Sequence, residues 1–208
     1  MQETMRVSGA QVYDGSGVDG TAYLEVVDMA HRAPAWFDRA VSDYSSYGLT
    51  LFAALMLVGW WRARRQGAPQ AIKALAVPVL TVVAFGLSTL VKQTVHENRP
   101  CRSLHVVTIE ACPAPDDWSF PSNHATLAAA AAVALWFVSV RLGAIAAVGA
   151  LAMAGSRVWV GAHYPHDVLA GIAVGTALTV AAALLLQRCA SALAGVVGRS
   201  RLRVLITS

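Results

Sequence analysis

The run AIKALAVPVLTVVAFGLSTLV, Ala71–Val91, carries one charge, on Lys73, and leads directly into KQTVHENRP, Lys92–Pro100. From Ala74 to Val91 no side chain is ionisable, and the run approaches the roughly 20 apolar residues a helix needs to cross a bilayer. Four further stretches share this character: Tyr47–Trp61, Asn123–Val140, Leu142–Ala162 and Asp167–Gln187. Of the 208 residues 56% are hydrophobic and 13% charged, whereas soluble domains carry about 25% charged residues. The expected fold is all-α: a polytopic membrane helical bundle of about five transmembrane helices, preceded by an N-terminal interfacial helix.

The formal net charge of +4 would suit nucleic acid, but the placement of the charges points to a bilayer. If the Trp60–Lys73 hairpin is cytoplasmic, Arg62, Arg64, Arg65, Lys73, Arg141, Arg188, Arg199, Arg201 and Arg203 lie inside with no Asp or Glu among them. Every acidic residue then lies outside. By the positive-inside rule this predicts an outer N-terminus and an inner C-terminus, with no nucleic acid as partner. Nothing in the pattern specifies an oligomeric state.

Residues 1–43 are expected to form an extracytoplasmic tail and interfacial segment, 44–190 the transmembrane core and 191–208 a basic cytoplasmic tail. Met1–Gly20 is rich in Gly and Ser, lacks the apolar core of a signal peptide and predicts a mobile tail. Tyr23–Tyr44 alternates apolar and charged residues around Pro34, which fits a broken amphipathic helix on the membrane or a simple connector. Cys101 and Cys112 share the outer loop, while Cys189 lies near the inner end of the last span. A bridge between the first two, worth about 2–4 kcal/mol, and two free thiols are both compatible with this partition. The Ala-rich stretch from Ala125 to Ala134 and the pair Gly171 and Gly175 predict close helix packing.

Charged groups beside apolar spans carry the chemistry, because a charge at the bilayer centre costs at least about 2.5–3.5 kcal/mol. They fall in three clusters: Lys92 with Arg99 and Pro100; Pro121-Ser122-Asn123-His124; and Ser156-Arg157 through His163 to Asp167. The hairpin order brings all three to one membrane face. Singly, each has an ordinary explanation as a snorkelling, anchoring or capping residue. Together, the cations Lys92, Arg99 and Arg157, the histidines His124 and His163 and the carboxylate of Asp167 supply what phosphoryl transfer requires. His31, His96 and His105 are expected at the surface, and His166 beside the site.

The segments KQTVHENRP (Lys92–Pro100), PSNH (Pro121–His124) and SRVWVGAHYPHD (Ser156–Asp167) resemble, in order and internal spacing, the signature of the type-2 phosphatidic acid phosphatase family. One position departs from it: Asn123 stands where that family usually has Gly. The resemblance implies that His163 attacks phosphorus to give a phosphohistidine and that His124 protonates the leaving oxygen. It also implies that Lys92, Arg99, Ser122, Asn123 and Arg157 bind the phosphate. If Pro165 starts the last helix, His163 and Asp167 share its first turn, and the carboxylate can hold Nδ1–H and leave Nε2 as nucleophile. The cationic clamp does the electrostatic work of a metal, so neither metal nor cofactor is expected.

The small core resembles bacterial members, which implies a plasma-membrane enzyme, and the charge pattern places its site on the extracytoplasmic side. A site at the membrane surface suits a lipid phosphate, with undecaprenyl diphosphate favoured. Phosphatidate, phosphatidylglycerol phosphate and a polyprenyl sugar phosphate are the competitors. Vanadium haloperoxidases share these motifs but are soluble, and a non-catalytic lipid-binding or transport protein would have no use for the pairing of His163 with Asp167.

Overall fold

A computed structural model describes residues 6–7 and 10–206. A short antiparallel hairpin, β1 (Arg6–Val7) and β2 (Ala10–Gln11), precedes α1 (Ser16–Arg32), α2 (Ala35–Tyr47), α3 (Leu49–Arg64) and α4 (Ala68–Val95). A single turn, α5 (Pro100–Ser103), is followed by α6 (Asn123–Val138), α7 (Val140–Trp159), α8 (Pro165–Gly198) and a closing 3-10 turn, Arg201–Leu205. Helices α4, α7 and α8 are each long and apolar enough to cross a membrane. Helices α2 and α3 meet that test together as a pair bent by 54°, and α6 is a shorter apolar helix. The chain is thus a multi-pass membrane protein. Each of the five expected spans is present as a helix, but α6 stops at 16 residues because Ser139, at φ −156° and ψ 118°, breaks the apolar run.

Helix α6 occupies the middle, packed against α3, α4, α7 and α8. Ala125, Ala128, Ala130 and Leu135 are sealed from solvent. Lipid tails are as apolar as leucine, so helices in a bilayer associate through close packing of small side chains. The contact with α8 shows how close this is. A Cβ added at Gly171 would lie 2.5 Å from the Ser122 carbonyl oxygen, and one at Gly175 2.5 Å from that of Thr126. Along α4, Ala74, Val77, Thr81, Ala84, Ser88 and Lys92 are buried at every third or fourth position, whereas Val79, Val82, Val83 and Leu90 are exposed on the outer face. That periodicity carries Lys92 to the inner face at the end of the span.

The N-terminal region is tied to the core more closely than a surface helix would be. Helix α1 begins at Ser16, and its Tyr23 and Val27 cluster with Ala125, Ala154, Val158, Tyr164 and Val168. Pro34 separates α1 from α2, as its fixed φ and missing N–H require. Most of the tail expected over Met1–Gly20 lies outside the described residues or in the β-hairpin. Tyr13, however, is anchored: its N–H donates to His96 O at 3.1 Å, and Asn98 N–H donates to Tyr13 O at 2.9 Å. At the other end α8 continues past Gln187 to Gly198. The chain then folds back, so that Trp60 Nε1–H donates to Leu205 O at 2.9 Å and Ile206 is buried against Ala71, Ile72 and Ala194.

Candidate active site

Each sequence cluster sits where a helix ends at the same end of the bundle. Lys92 is in the last turn of α4, and Arg99 immediately precedes α5. Ser122 caps α6 by accepting Ala125 N–H at 3.5 Å. Arg157 is in the last turn of α7. The chain then turns back through Gly161, at φ +85°, where an added Cβ would lie 2.2 Å from Thr108 Cγ2. Only glycine satisfies both the left-handed backbone and the contact. Tyr23 holds this turn from α1, its hydroxyl donating to Gly161 O at 3.0 Å. Pro165 starts α8 with its fixed φ, and Asp167 in the first turn accepts Tyr164 N–H at 2.8 Å.

His163 and Asp167 are therefore one turn apart and buried, with His163 Nδ1 3.2 Å from Asp167 Oδ2. On the other side of the ring, Arg99 Nη1 lies 2.9 Å from Nε2. A guanidinium is only ever a donor, so Nε2 is an acceptor and the single ring proton sits on Nδ1. Nδ1–H donates to Asp167, whose Oδ2 also accepts Ser119 Oγ–H at 2.5 Å. Burial, reinforced by the charge of Arg99, holds the imidazole well below its ordinary value of 6.5 against the opposing pull of Asp167. The contact with Asp167 is thus a hydrogen bond from a neutral ring, not an ion pair. It fixes the tautomer in which Nε2 carries the lone pair.

Arg99 touches this ring and Lys92 acts on it electrostatically, and the loop before α6 supplies partners to all three cations. Lys92 Nζ donates to the carbonyls of Trp118 and Ser119. Arg99 donates from Nε to Asp117 O at 2.9 Å, from Nη2 to Asp117 Oδ1 at 2.8 Å and from Nη1 to Ala162 O at 2.8 Å. Arg157 donates to Ser45 Oγ and, at 3.3 Å, to Glu110 Oε2. His124, in the first turn of α6, is half-buried within the electrostatic reach of Arg157, Arg99 and Lys92. The loop carrying Glu110, Asp117 and Ser119 is pinned by a disulfide between Cys101 and Cys112, with Cα atoms 6.0 Å apart.

Ser122 and Asn123 are turned to other tasks. Ser122 N–H donates to Asp167 O at 3.0 Å, and its side chain is occupied by the cap. Asn123 Oδ1 accepts Ser88 Oγ–H at 2.7 Å, and its Nδ2 lies 3.4 Å from Thr89 Oγ1. The residue that departs from the family pattern thus ties α6 to α4. What remains for an anion is the backbone N–H pair at the first two positions of α6, which have no intrahelical partner. Ser119, Glu110, Asp117 and Ser45 were not anticipated. Only Ser119 had a visible signal, standing two residues before the Pro121-Ser122-Asn123-His124 segment.

The PAP2 superfamily model matches residues 73–191, which hold all three clusters. The chain belongs to the PAP2 superfamily. Among similar proteins, undecaprenyl-diphosphatase BcrC of Bacillus subtilis is 32% identical over 130 residues, 62% of this chain and 65% of that protein. Decaprenylphosphoryl-5-phosphoribose phosphatase of Mycobacterium tuberculosis is 34% identical over 93 residues, 45% of this chain and 50% of that protein. The fold matches the crystal structure of a transmembrane PAP2-type phosphatidylglycerolphosphate phosphatase from Bacillus subtilis with a TM-score of 0.51 at 21% identity, covering 88% of this chain and 89% of the other. The chain spans less than two thirds of the length of the curated relatives it matches, from 29% to 65%.

Proposed function

We propose that this PAP2 protein is a membrane lipid phosphatase that removes the terminal phosphate of a polyprenyl diphosphate, undecaprenyl diphosphate being the favoured substrate. The observation that carries the reading is the His163 ring, neutral, with Nδ1–H on Asp167 and the Nε2 lone pair facing Arg99. A phosphoryl group entering between Nε2 and Arg99 meets a nucleophile on one side and a fixed cation on the other. As the Nε2–P bond forms, the bridging P–O bond breaks and the leaving oxygen takes a proton from His124. Water, deprotonated by His124, then attacks phosphorus and breaks the P–N bond, giving inorganic phosphate and free His163. Lys92, Arg99 and Arg157 neutralise the equatorial oxygens, and the first-turn N–H groups of α6 at Asn123 and His124 add two donors beside the Ser122 cap. No metal is needed for this cycle.

Two relatives are named for polyprenyl-linked substrates, which supports a polyprenyl tail over a diacylglycerol one. The segregation of charge supports a site on the extracytoplasmic side, and the bacterial relatives support a bacterial plasma-membrane protein. The test is phosphate release from undecaprenyl diphosphate by detergent-solubilised protein in EDTA, alongside undecaprenyl phosphate and phosphatidylglycerol phosphate. Release from the diphosphate that is lost in His163→Ala supports the proposal. Unaltered release in that variant, or faster release from phosphatidylglycerol phosphate, overturns the nucleophile or the substrate respectively.

A further inference from the structure

His166 lies outside the His163 centre and joins α1 and the segment after α4 to the start of α8 behind it. Its Nδ1 is 2.7 Å from Asp19 Oδ1, and its backbone N–H donates to Asp19 Oδ2 at 2.7 Å, so one carboxylate of α1 holds it twice. Its Nε2 is 3.0 Å from Glu97 Oε1, two residues before Arg99. The ring stacks on Tyr164 with centroids 5.3 Å apart, beside His163 in the chain. Asp167 Oδ1 is fully buried without a hydrogen-bond partner among the described residues, and lies 3.7 Å from His166 Nε2. Ionised carboxylates accept and never donate, so a ring with a carboxylate oxygen at each nitrogen carries a proton on both. The groups facing it are Asp19 from α1, Glu97 from the segment after α4, and Asp167 and Tyr164 from the start of α8.

Building on the reading of His163 as nucleophile, we infer that His166 is a positioning residue. As a permanent imidazolium it locks α1 and the segment bearing Arg99 onto the back of the Asp167–His163 pair and supplies the charge that the unpartnered Asp167 oxygen faces. Charge bookkeeping supports this. Asp19, Glu97 and Asp167 place three carboxylates around one ring, and buried charge of one sign is costly without a countercharge. The role also adds to the docking of α1 by Tyr23 and Val27: Asp19 is its hydrogen-bonding link to the first turn of α8.

The test uses the full chain in detergent with 15N-labelled histidine. At pH 7.5 one imidazole should show both nitrogens protonated, and that signal should disappear in His166→Gln. The same variant should lose on the order of 10-fold or more in kcat, with KM changed less than about threefold, because a charged hydrogen bond is removed behind the reacting atoms. Asp19→Asn should reproduce the loss, and the double variant should lose no more than the worse single one. A His166 ring with one unprotonated nitrogen overturns the inference even if His163→Ala abolishes activity, as do multiplicative losses in the double variant. A His166 signal that changes when EDTA is added also overturns it, since a bound cation rather than a proton would then fill the cluster. Loss of the phosphatase reading alone would leave the doubly protonated signal in place.

Discussion

Asp167→Asn is the sharpest probe of the site because it can remove a charge while leaving the contacts. Oδ2 accepts from Ser119, Tyr164 N–H and His163 Nδ1–H at 2.5, 2.8 and 3.2 Å, and an asparagine carbonyl in the same place can accept all three. What disappears is the negative charge facing the ring as Nε2 bonds to phosphorus and the imidazole becomes cationic. Two unit charges 4 Å apart at an effective dielectric of 20 interact by about 4 kcal/mol. A hydrogen bond to a charged group is worth about 1.5–3 kcal/mol. The two routes bracket a loss of about 2–4 kcal/mol in the transition state, or roughly 30- to 1,000-fold in kcat. Ground-state binding relies on the cations, so KM should change less than about threefold. Phosphate release measured over a range of substrate concentrations gives both constants, alkaline quenching preserves the acid-labile phosphohistidine for counting, and thermal unfolding is the control for folding. A folded Asp167→Asn protein with kcat within threefold of the parent would refute the assignment of the carboxylate.

The remaining expectations follow from the same contacts. Asp117 is half-exposed and pairs with Arg99, the proposed phosphate ligand, so Asp117→Asn should lower KM and strengthen inhibition by inorganic phosphate by about 2- to 5-fold, the range of an exposed pair. The Cys101–Cys112 bridge closes a sequence separation of 11 residues. Its replacement by two serines should cost about 3 kcal/mol and lower the unfolding temperature in detergent by roughly 6–12 °C; an unchanged melt would show that the loop frays before the core. The active form of His163 is neutral and its protonation is displaced below 6.5. The acid limb of kcat/KM should therefore lie below pH 6.5, and Asp167→Asn should move it further to acid, because the carboxylate is the group pulling the other way. By the same sign the folded state binds fewer protons than the unfolded chain, so stability should begin to fall as pH drops through 6.5. A midpoint at or above that value in the wild-type profile would contradict the burial of the ring.

What was legible in advance was whatever repeats along a helix. Lys92 follows an apolar span in register with its buried stripe, and Asp167 lies one turn after His163 behind a proline that starts α8. The end of α6 was misread because a lone Ser139 between Val138 and Val140 leaves the hydropathy of the run almost untouched while breaking the helix. The loop partners were hidden for a different reason. Glu110, Asp117 and Ser119 lie in irregular backbone, where no period relates a residue to its neighbour in space. The link from Asp19 to His166 joins residues separated by 147 positions, and pairwise geometry of that kind leaves no trace in spacing. Asn123 shows the reverse case: its motif position was plain, but the direction of its side chain was set by Ser88 and Thr89 on another helix.

The brevity of α6 bears on the end of the bundle away from the chemistry. At 1.5 Å per residue, 16 residues reach about 24 Å, some 6 Å short of the hydrocarbon thickness of an average bilayer. Ser139 ends the helix opposite the three clusters, so the shortfall lies at the far end and not beneath the site. There the neighbouring helix makes good what the break leaves open: Gln70, at the start of α4, donates its Nε2–H to Val138 O at 2.7 Å.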